Sequence, residues 1–231
     1  MKSIKAVPIE IPVGRITAIT PTPRATGRFD LIVDGEPVAR LSIDGIERLG
    51  LQVGKEITES LSAAIAAEAE VSRTYDRAMA MLAVRGRASG ELRRLLVQKG
   101  GPPPAVDEAI HRLESAGFID DAAFARQFTR WKGVTAGLSR RRIERELMRR
   151  GIDRETASSA IAETFAEEGV DESASLEQVA ERKLRTLTKV DPETRRRRLY
   201  GFLARRGYSV DAIRPVVMRL TRDGGDAAVS I

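Results

Sequence analysis

Three short basic segments, each ending in a glycine, recur along this chain and limit its possible folds more than any other feature. They read ELRRLLVQKG at 91–100, RIERELMRRG at 142–151 and RLYGFLARRG at 198–207. In each segment a leucine or isoleucine lies eight residues before the glycine and a leucine lies four residues before it. This spacing predicts an apolar helix face, and the glycine predicts a helix end in the left-handed conformation.

Matching apolar pairs follow each glycine, six and ten residues beyond it. The pairs are Val106 and Ile110, Ala157 and Ile161, and Ile213 and Val217. Another amphipathic stretch precedes each basic segment, as in the one that carries Tyr75, Met79 and Leu82. Each unit therefore reads as three helices, and units of this length stack on their neighbours. We predict a mainly α fold of three tandem three-helix repeats forming an elongated curved array, with a small N-terminal β-rich module.

The N-terminal module is indicated by short β-branched runs separated by turn formers. The runs are RITAI at 15–19, RFDLIV at 28–33 and VARLSI at 38–43. They predict a sheet of about three strands, with a hairpin turn at Asp34–Gly35. The stretch from Ser60 to Arg85 lacks glycine and proline and is rich in helix formers, so it predicts a long helix.

These patterns divide the chain into five segments. They are a β-rich module at 1–59, a connecting helix with repeat 1 at 60–118, repeat 2 at 119–169, repeat 3 at 170–222, and a disordered tail at 223–231. Residues with capping side chains lie before the expected helix starts. They are Ser89, Ser139, Asp153, Asp191 and Ser209. In repeat 1 Pro102 takes the capping position and Pro104 is expected to open the helix, whereas Pro215 predicts a late start or a kink.

Charge is distributed unevenly along the chain. Residues 1–73 contain 9 Lys and Arg against 10 Asp and Glu, and the remaining residues contain 30 against 23. The excess positive charge of the repeats favours a polyanionic partner or an acidic protein surface. The chain has no cysteine, and no apolar run approaches the ~20 residues that cross a bilayer. A cytoplasmic protein without a membrane partner is therefore expected.

The repeat region resembles the bacterial RecX regulatory proteins over about residues 74–220. The most specific piece is AGFIDDAAFARQF, which lies between two basic helix–glycine segments. The resemblance implies a modulator, usually an inhibitor, of the RecA recombinase. Such proteins lie along the groove of the RecA–DNA filament, and we expect this chain to modulate RecA ATPase, strand exchange and the SOS response. It is expected to be a monomer without enzymatic activity or cofactor.

The basic helices supply the candidate binding residues for the RecA filament, or for single- or double-stranded DNA reached directly or through RecA. They are Arg93, Arg94, Lys99, Arg140, Arg141, Arg142, Arg145, Arg149, Arg150, Arg195, Arg196, Arg197, Arg198, Arg205 and Arg206. Lys99, Arg150 and Arg206 recur at one repeat position, which predicts a periodic positive stripe. The plain alternative is a solvated helix face. An alternative function is sequence-tolerant nucleic-acid binding by a helical repeat protein without RecA specificity.

Other conspicuous residues have plainer structural explanations. Asp120 and Asp121 directly precede a predicted helix, so helix capping is favoured over acid–base catalysis. Phe124, Phe128 and Trp131 have helical spacing, which favours core packing over a base-stacking platform. The acidic interval 163–181 contains no basic residue and is expected to span the loop between repeats 2 and 3. No catalytic residue, metal ligand or nucleotide-binding motif is predicted.

Overall fold

The computed structural model describes residues 9–23 and 25–222, so the predicted disordered tail at 223–231 lies outside the described residues. The chain divides into two compact units, residues 1–120 and 121–231. The first unit contains the sheet and the first helical repeat. The second unit contains the second and third repeats.

An antiparallel sheet forms the N-terminal part of the first unit. Its strands are β1 (Gly14–Pro21), β2 (Arg28–Val33), β3 (Glu36–Ser42) and β4 (Glu56–Ile57), in the order β3-β2-β1-β4. Val33 pairs with Glu36 across the hairpin, where Asp34 and Gly35 have φ of 50° and 90°. The predicted turn is therefore confirmed. The two-residue strand β4 was not predicted because so short a segment has no periodicity to detect.

The sheet packs on the long helix that begins repeat 1. A short helix α1 (Ile43–Arg48) follows β3, and α2 (Glu59–Val84) covers the range predicted from the sequence. Ile16, Leu31 and Leu41 from the sheet share a buried cluster with Ile65 and Ala69 of α2. Burial of these apolar side chains joins the small module to the first repeat.

Two further helices complete repeat 1, α3 (Ser89–Gln98) and α4 (Pro103–Ser115). Leu92 and Leu96 of α3 pack with Val106 and Ile110 of α4, as the spacing predicts. Gly100 has φ of 88°, which a non-glycine residue rarely adopts. The helix–glycine–helix arrangement is therefore confirmed in repeat 1.

The second unit repeats this arrangement twice. Repeat 2 contains α5 (Asp121–Thr129), a π-helical turn (Arg130–Thr135), α6 (Arg140–Arg150) and α7 (Arg154–Glu167). Repeat 3 contains α8 (Glu172–Leu184), α9 (Pro192–Arg205) and α10 (Val210–Arg222). The closing glycines, Gly151 and Gly207, have φ of 91° and 92°. Three tandem three-helix repeats are thus confirmed.

Most predicted helix caps are confirmed. Ser139, Asp153 and Asp191 accept hydrogen bonds from backbone N–H groups in the first helical turn. The hydroxyl of Ser209 likewise accepts from the N–H of Ala212.

The predictions at Ser89 and Pro104, and the late helix start predicted at Pro215, are corrected. Ser89 is already the first residue of α3, and Ala88 is its N-cap. Pro103, not Pro104, opens α4. Helix α10 starts directly after Ser209 and continues through Pro215. Buried Ile213 and Val217 anchor α10 on either side of that proline, so packing outweighs the loss of one backbone hydrogen bond.

Candidate interaction surface on the middle helices

The middle helix of each repeat buries one side and exposes the other. Leu92 and Leu96 of α3, Ile143 and Leu147 of α6, and Leu199 and Leu203 of α9 are all fully buried. Because these residues are four apart, they fix one side of each helix toward the repeat core. The opposite side is left for charged residues.

Exposed arginines occupy this opposite side in regular positions. On α6 they are Arg141, Arg145 and Arg149, each four residues from the next. On α9 the corresponding positions hold Arg197 and Arg205, both exposed, with Gly201 between them. Residues spaced by four lie on one helix face, so each helix presents a row of guanidinium groups to solvent. We call these five residues the outer arginine row.

In repeat 1 the corresponding face is less basic. Arg94 of α3 is exposed and occupies the position equivalent to Arg145. Gly90 and Gln98 lie where α6 has Arg141 and Arg149. The positive charge on this face is therefore greatest in repeats 2 and 3.

Several other predicted binding arginines form ion pairs within the protein. Arg93 Nη2 lies 2.7 Å from Asp107, Arg142 Nε lies 2.8 Å from Glu146, and Arg140 Nε lies 3.8 Å from Glu172. Arg140 also lies over the ring of Phe165, 4.5 Å from its centroid. These contacts reduce the charge that the three arginines can offer to a partner.

The three equivalent cations Lys99, Arg150 and Arg206 have different surroundings. Lys99 is exposed, whereas Arg150 is half-buried over the ring of Phe128, 4.9 Å from its centroid. Arg206 is also half-buried, and its guanidinium lies 4.7 Å from the ring centroid of Phe202. Residues at the same repeat position therefore differ in their exposure to solvent.

Arg206 joins repeat 3 to repeat 2 inside the second unit. Its Nη1 donates to the carbonyl oxygens of Ala136 and Gly137, in the turn before α6. Burial lowers the pKa of this guanidinium from its ordinary value. Two carbonyl acceptors compensate for part of the solvation that the cation has lost.

Further hydrogen bonds extend this contact. The N–H of Ser139 donates to the carbonyl of Arg206 at 3.1 Å, and the hydroxyl of Tyr208 donates to the carbonyl of Gly137 at 3.2 Å. Burial raises the pKa of Tyr208 to about 12, so its hydroxyl remains a donor at neutral pH. We call these contacts around residues 136–139 and 206–208 the seam.

The acidic interval 163–181 spans the loop between repeats 2 and 3, as predicted, but most of its residues are helical. It covers the end of α7 and most of α8, and only residues 168–171 lie between the two helices. Its carboxylates pair with arginines of the same unit: Glu167 and Glu168 with Arg130, Glu172 with Arg140, and Glu177 with Arg219. In this interval the helical spacing of alanine, leucine and valine predicts the observed helices better than the run of acidic residues does.

Trp131 is not a core residue, contrary to the spacing argument. Phe128 is 6% exposed, and Trp131 is 57% exposed. The i, i+7 argument assumes α-helical geometry, but the chain widens into the π-helical turn at Arg130. Gly133 is buried there instead, and a Cβ on it would lie 2.7 Å from Phe165 Cε2. The Nζ of Lys132 lies 3.8 Å from the centroid of the Trp131 ring.

A charge network in the first unit was missed by the sequence analysis. Glu68 of α2 accepts from Arg112 of α4 at 2.7 and 2.9 Å and from Arg48 of α1 at 2.7 Å. Arg28 of β2 also pairs with Asp76 of α2. These partners are 20 to 48 residues apart, so no local charge spacing could indicate them.

The adjacent Asp120 and Asp121 lie at the start of a helix. Helix α5 begins at Asp121, directly after Asp120, which is where capping carboxylates were expected. Within residues 9–23 and 25–222, no cluster of three or more His, Asp or Glu side chains could hold a metal ion. In the same ranges, no helix has both the length and the apolar character of a membrane span.

The fold and this surface define a class: tandem three-helix repeat proteins with basic middle helices. Family models describing the first, second and third three-helix domains of RecX match residues 75–113, 120–161 and 171–217. This chain belongs to the RecX family.

Two curated relatives show the extent of the similarity. The "Regulatory protein RecX" of Amycolatopsis mediterranei (strain U-32) is 34% identical over 145 residues, which cover 63% of this chain and 81% of the relative. The protein of the same name from Mycobacterium avium (strain 104) is 35% identical over 142 residues, covering 60% and 79%.

Solved structures have the same fold. One crystal structure of a regulatory protein RecX gives a TM-score of 0.69 and covers 87% of this chain and 98% of that chain. RecX from Lactobacillus salivarius gives a TM-score of 0.52 and covers 65% and 96%. Both are 20% identical in sequence, and at that identity the likeness concerns the fold.

Proposed function

We propose that this RecX-family regulatory protein binds the RecA–DNA filament in the cytoplasm and inhibits RecA ATPase and strand exchange, thereby limiting recombination and the SOS response. The observation that supports this most strongly is the outer arginine row on α6 and α9. A filament of protein and DNA offers phosphates and acidic side chains at regular intervals, to which spaced cations are suited. The name shared by the relatives supports the regulatory role.

Binding through such a row depends on many weak contacts. An exposed ion pair contributes about 0–1 kcal/mol, so no single arginine should be decisive. Repeats that contact several filament subunits at once would gain affinity through effective concentration. The protein should therefore prefer polymerised RecA to the monomer, and its binding should weaken as salt is added.

The outer arginine row comes first among the candidate residues, because its members are exposed. Arg94 and Lys99 are exposed in repeat 1, and Arg196 and Arg198 are exposed on α9, so they extend the proposed surface. Arg93, Arg140 and Arg142 would have to exchange an internal partner for RecA or DNA. Arg150, Arg195 and Arg206 are half-buried and would contribute least.

The direct test is the ATPase of RecA on single-stranded DNA, measured with and without this protein as a monomer. We expect inhibition that rises with protein concentration and weakens at higher ionic strength. An unchanged ATPase rate over the full titration would contradict the proposal.

The alternative is nucleic-acid binding without RecA specificity. The exposed indole of Trp131 beside Lys132 favours it, because aromatic rings and cations together can hold an unpaired base and its phosphate. Tight binding to bare single-stranded DNA, with no effect on RecA ATPase, would support this alternative and exclude the RecA-specific role.

A further inference from the structure

A groove between α9 and α10 combines an apolar floor with unneutralised arginines. Its volume is about 610 Å³, which is within the range of sites that hold small ligands or a few peptide side chains. Both helices belong to repeat 3, so the groove lies within one compact unit. Its arginines Arg196 and Arg197 also belong to the surface proposed for the filament, whereas its apolar floor does not.

The floor of the groove includes two exposed large apolar side chains. Val210 is 53% exposed and Met218 is 48% exposed, and both line the groove beside half-buried Tyr200 and buried Val217. Single exposed apolar residues are ordinary on a protein surface, so these two are notable for their place in a groove that arginines line. Tyrosine and methionine are also residue types enriched at protein interfaces.

The rim is positive and largely without internal partners. Arg196 and Arg197 of α9 and Arg214 of α10 line it, with Glu193 as the only carboxylate among the lining residues. Over residues 9–23 and 25–222, Arg196 and Arg214 form no ion pair. By contrast, Arg219 on the same helix pairs with Glu177 at 2.7 Å. An occupant that brings carboxylates would therefore meet cations that have no competing ion pair.

The floor selects a peptide over a nucleic acid. The exposed side chains of Val210 and Met218 suit leucine, isoleucine or phenylalanine. A single-stranded nucleic acid stacks successive bases on several rings, and half-buried Tyr200 is the one aromatic ring among the lining residues. Helix-in-groove binding uses apolar anchors one turn apart, with polar residues outside the groove. Because arginines lie on both edges of the groove, the charged residues of the bound segment should be acidic.

We propose that the α9–α10 groove of repeat 3 is a docking site for an acidic peptide segment of another protein, which inserts one or two large apolar side chains between Tyr200, Val210 and Met218. Carboxylates on either side of these anchors pair with Arg196 and Arg214. The site shares Arg196 and Arg197 with the surface proposed for the filament, but its test requires neither RecA nor DNA, so it can fail while the proposed function stands.

The test uses fluorescence anisotropy of the full-length protein with the fluorescein-labelled peptide EDELLDEFEDEE. We expect saturable binding that weakens with salt. The double variant R196E/R214E should bind at least about tenfold more weakly, because two attractive contacts become repulsive. The variant M218S should also weaken binding, and a peptide with serine at both leucines and the phenylalanine should not bind.

A matched double variant controls for net charge and folding. R198E/R222E makes the same charge change at exposed positions of α9 and α10 that do not line the groove, and it should bind like the parent. Circular dichroism should show the same helix content in all variants. Absence of binding by the parent, equal weakening in both double variants, or stronger competition from an oligothymidylate of matched length would each overturn the proposal.

Discussion

At the scale of single residues, Glu68 connects three separate helices of the first unit. Its side chain is 7% exposed and accepts hydrogen bonds from Arg48 and Arg112. Burial raises the pKa of the Glu68 carboxyl. The hydrogen bonds and charges of Arg112 and Arg48 lower this pKa by a larger amount, so the net shift is downward. The pKa of Arg112 is correspondingly raised, chiefly by its hydrogen bond to Glu68.

Replacing Glu68 with glutamine should destabilise the protein by about 2–3 kcal/mol, because two arginines lose a charged acceptor. Urea denaturation at neutral pH measures this loss. Glu70→Gln is the control, since within residues 9–23 and 25–222 Glu70 pairs only with Arg73 of the same helix. This substitution should cost less than about 1 kcal/mol. Equal losses in the two variants would mean that the network does not connect the helices energetically.

The Glu68 network also predicts a pH dependence of stability. A carboxyl with a lowered folded-state pKa contributes fully above its unfolded value of about 4.3 and loses that contribution as the pH falls through the folded value. The parent should therefore lose more free energy of unfolding than Glu68→Gln when the pH falls from about 5 to about 3. Parallel pH profiles for the two proteins would contradict the assigned direction of the shift.

Trp131 gives a second residue-scale prediction. Because its indole is exposed, Trp131→Ala should lower the free energy of unfolding by less than about 1 kcal/mol. Phe165→Ala, at a buried ring in the same repeat, should cost about 3–5 kcal/mol. Trp131 is the only tryptophan, so the intrinsic emission should be that of a water-exposed indole and open to quenching by iodide. An emission spectrum shielded from iodide would contradict the exposure.

At the scale of helices and turns, the seam depends on a close approach to Gly207. A Cβ at this position would lie 2.5 Å from Arg142 Cβ and 2.5 Å from Ser139 Oγ. The left-handed backbone adds a further cost for any other residue. Gly207→Ala should therefore destabilise the second unit by about 2–4 kcal/mol.

Gly169→Ala is the matched control for this prediction. Gly169 also has a positive φ, 58°, but apart from its chain neighbours no atom of the described residues lies within 4 Å of a Cβ placed on it. It should cost only the backbone strain of about 1–2 kcal/mol. If the two variants lose equal stability in urea denaturation, the contact across the seam contributes nothing to the difference.

The elements that the sequence predicts are those whose cause is local. The four-residue spacing of Leu147 and Gly151 can be read directly from the sequence, and Asp153 caps the helix that begins at the next residue. The π-helical turn has no such local signal, because it accommodates the approach of Phe165 to Gly133 from a different helix. The internal contacts of Arg206 were not predicted for the same reason, since its carbonyl acceptors lie about 70 residues earlier.

Surface rows are easier to predict than the roles of their individual members. The arginines of α6 and α9 were identified as candidates from their number and recurrence, and the buried Ile143 and Leu199 then fix which side is exposed. Exposure separates Arg145, on the outer face, from Arg150, which lies over Phe128. Only tertiary contacts could make that distinction.

At the scale of the whole molecule, the proposed contact with the filament would be distributed over several weak sites on the repeats. A single charge reversal in the outer arginine row should change filament binding by less than about tenfold, because each exposed pair contributes about 0–1 kcal/mol. Cosedimentation with RecA filaments, compared between Arg145→Glu and the parent, measures this. Complete loss of binding in the single variant would indicate one dominant contact in place of a distributed surface.

We propose above all that the three α6 members of the outer arginine row contact the filament. It is tested most directly by titrating RecA ATPase on single-stranded DNA with R141E/R145E/R149E. The control R182E/R185E/K189E makes the same charge change at exposed residues of α8 and the loop after it. The α6 variant should need at least about tenfold more protein for half-inhibition, and the control should stay within about twofold of the parent. Inhibition by the α6 variant at the parent's concentrations would contradict the claim.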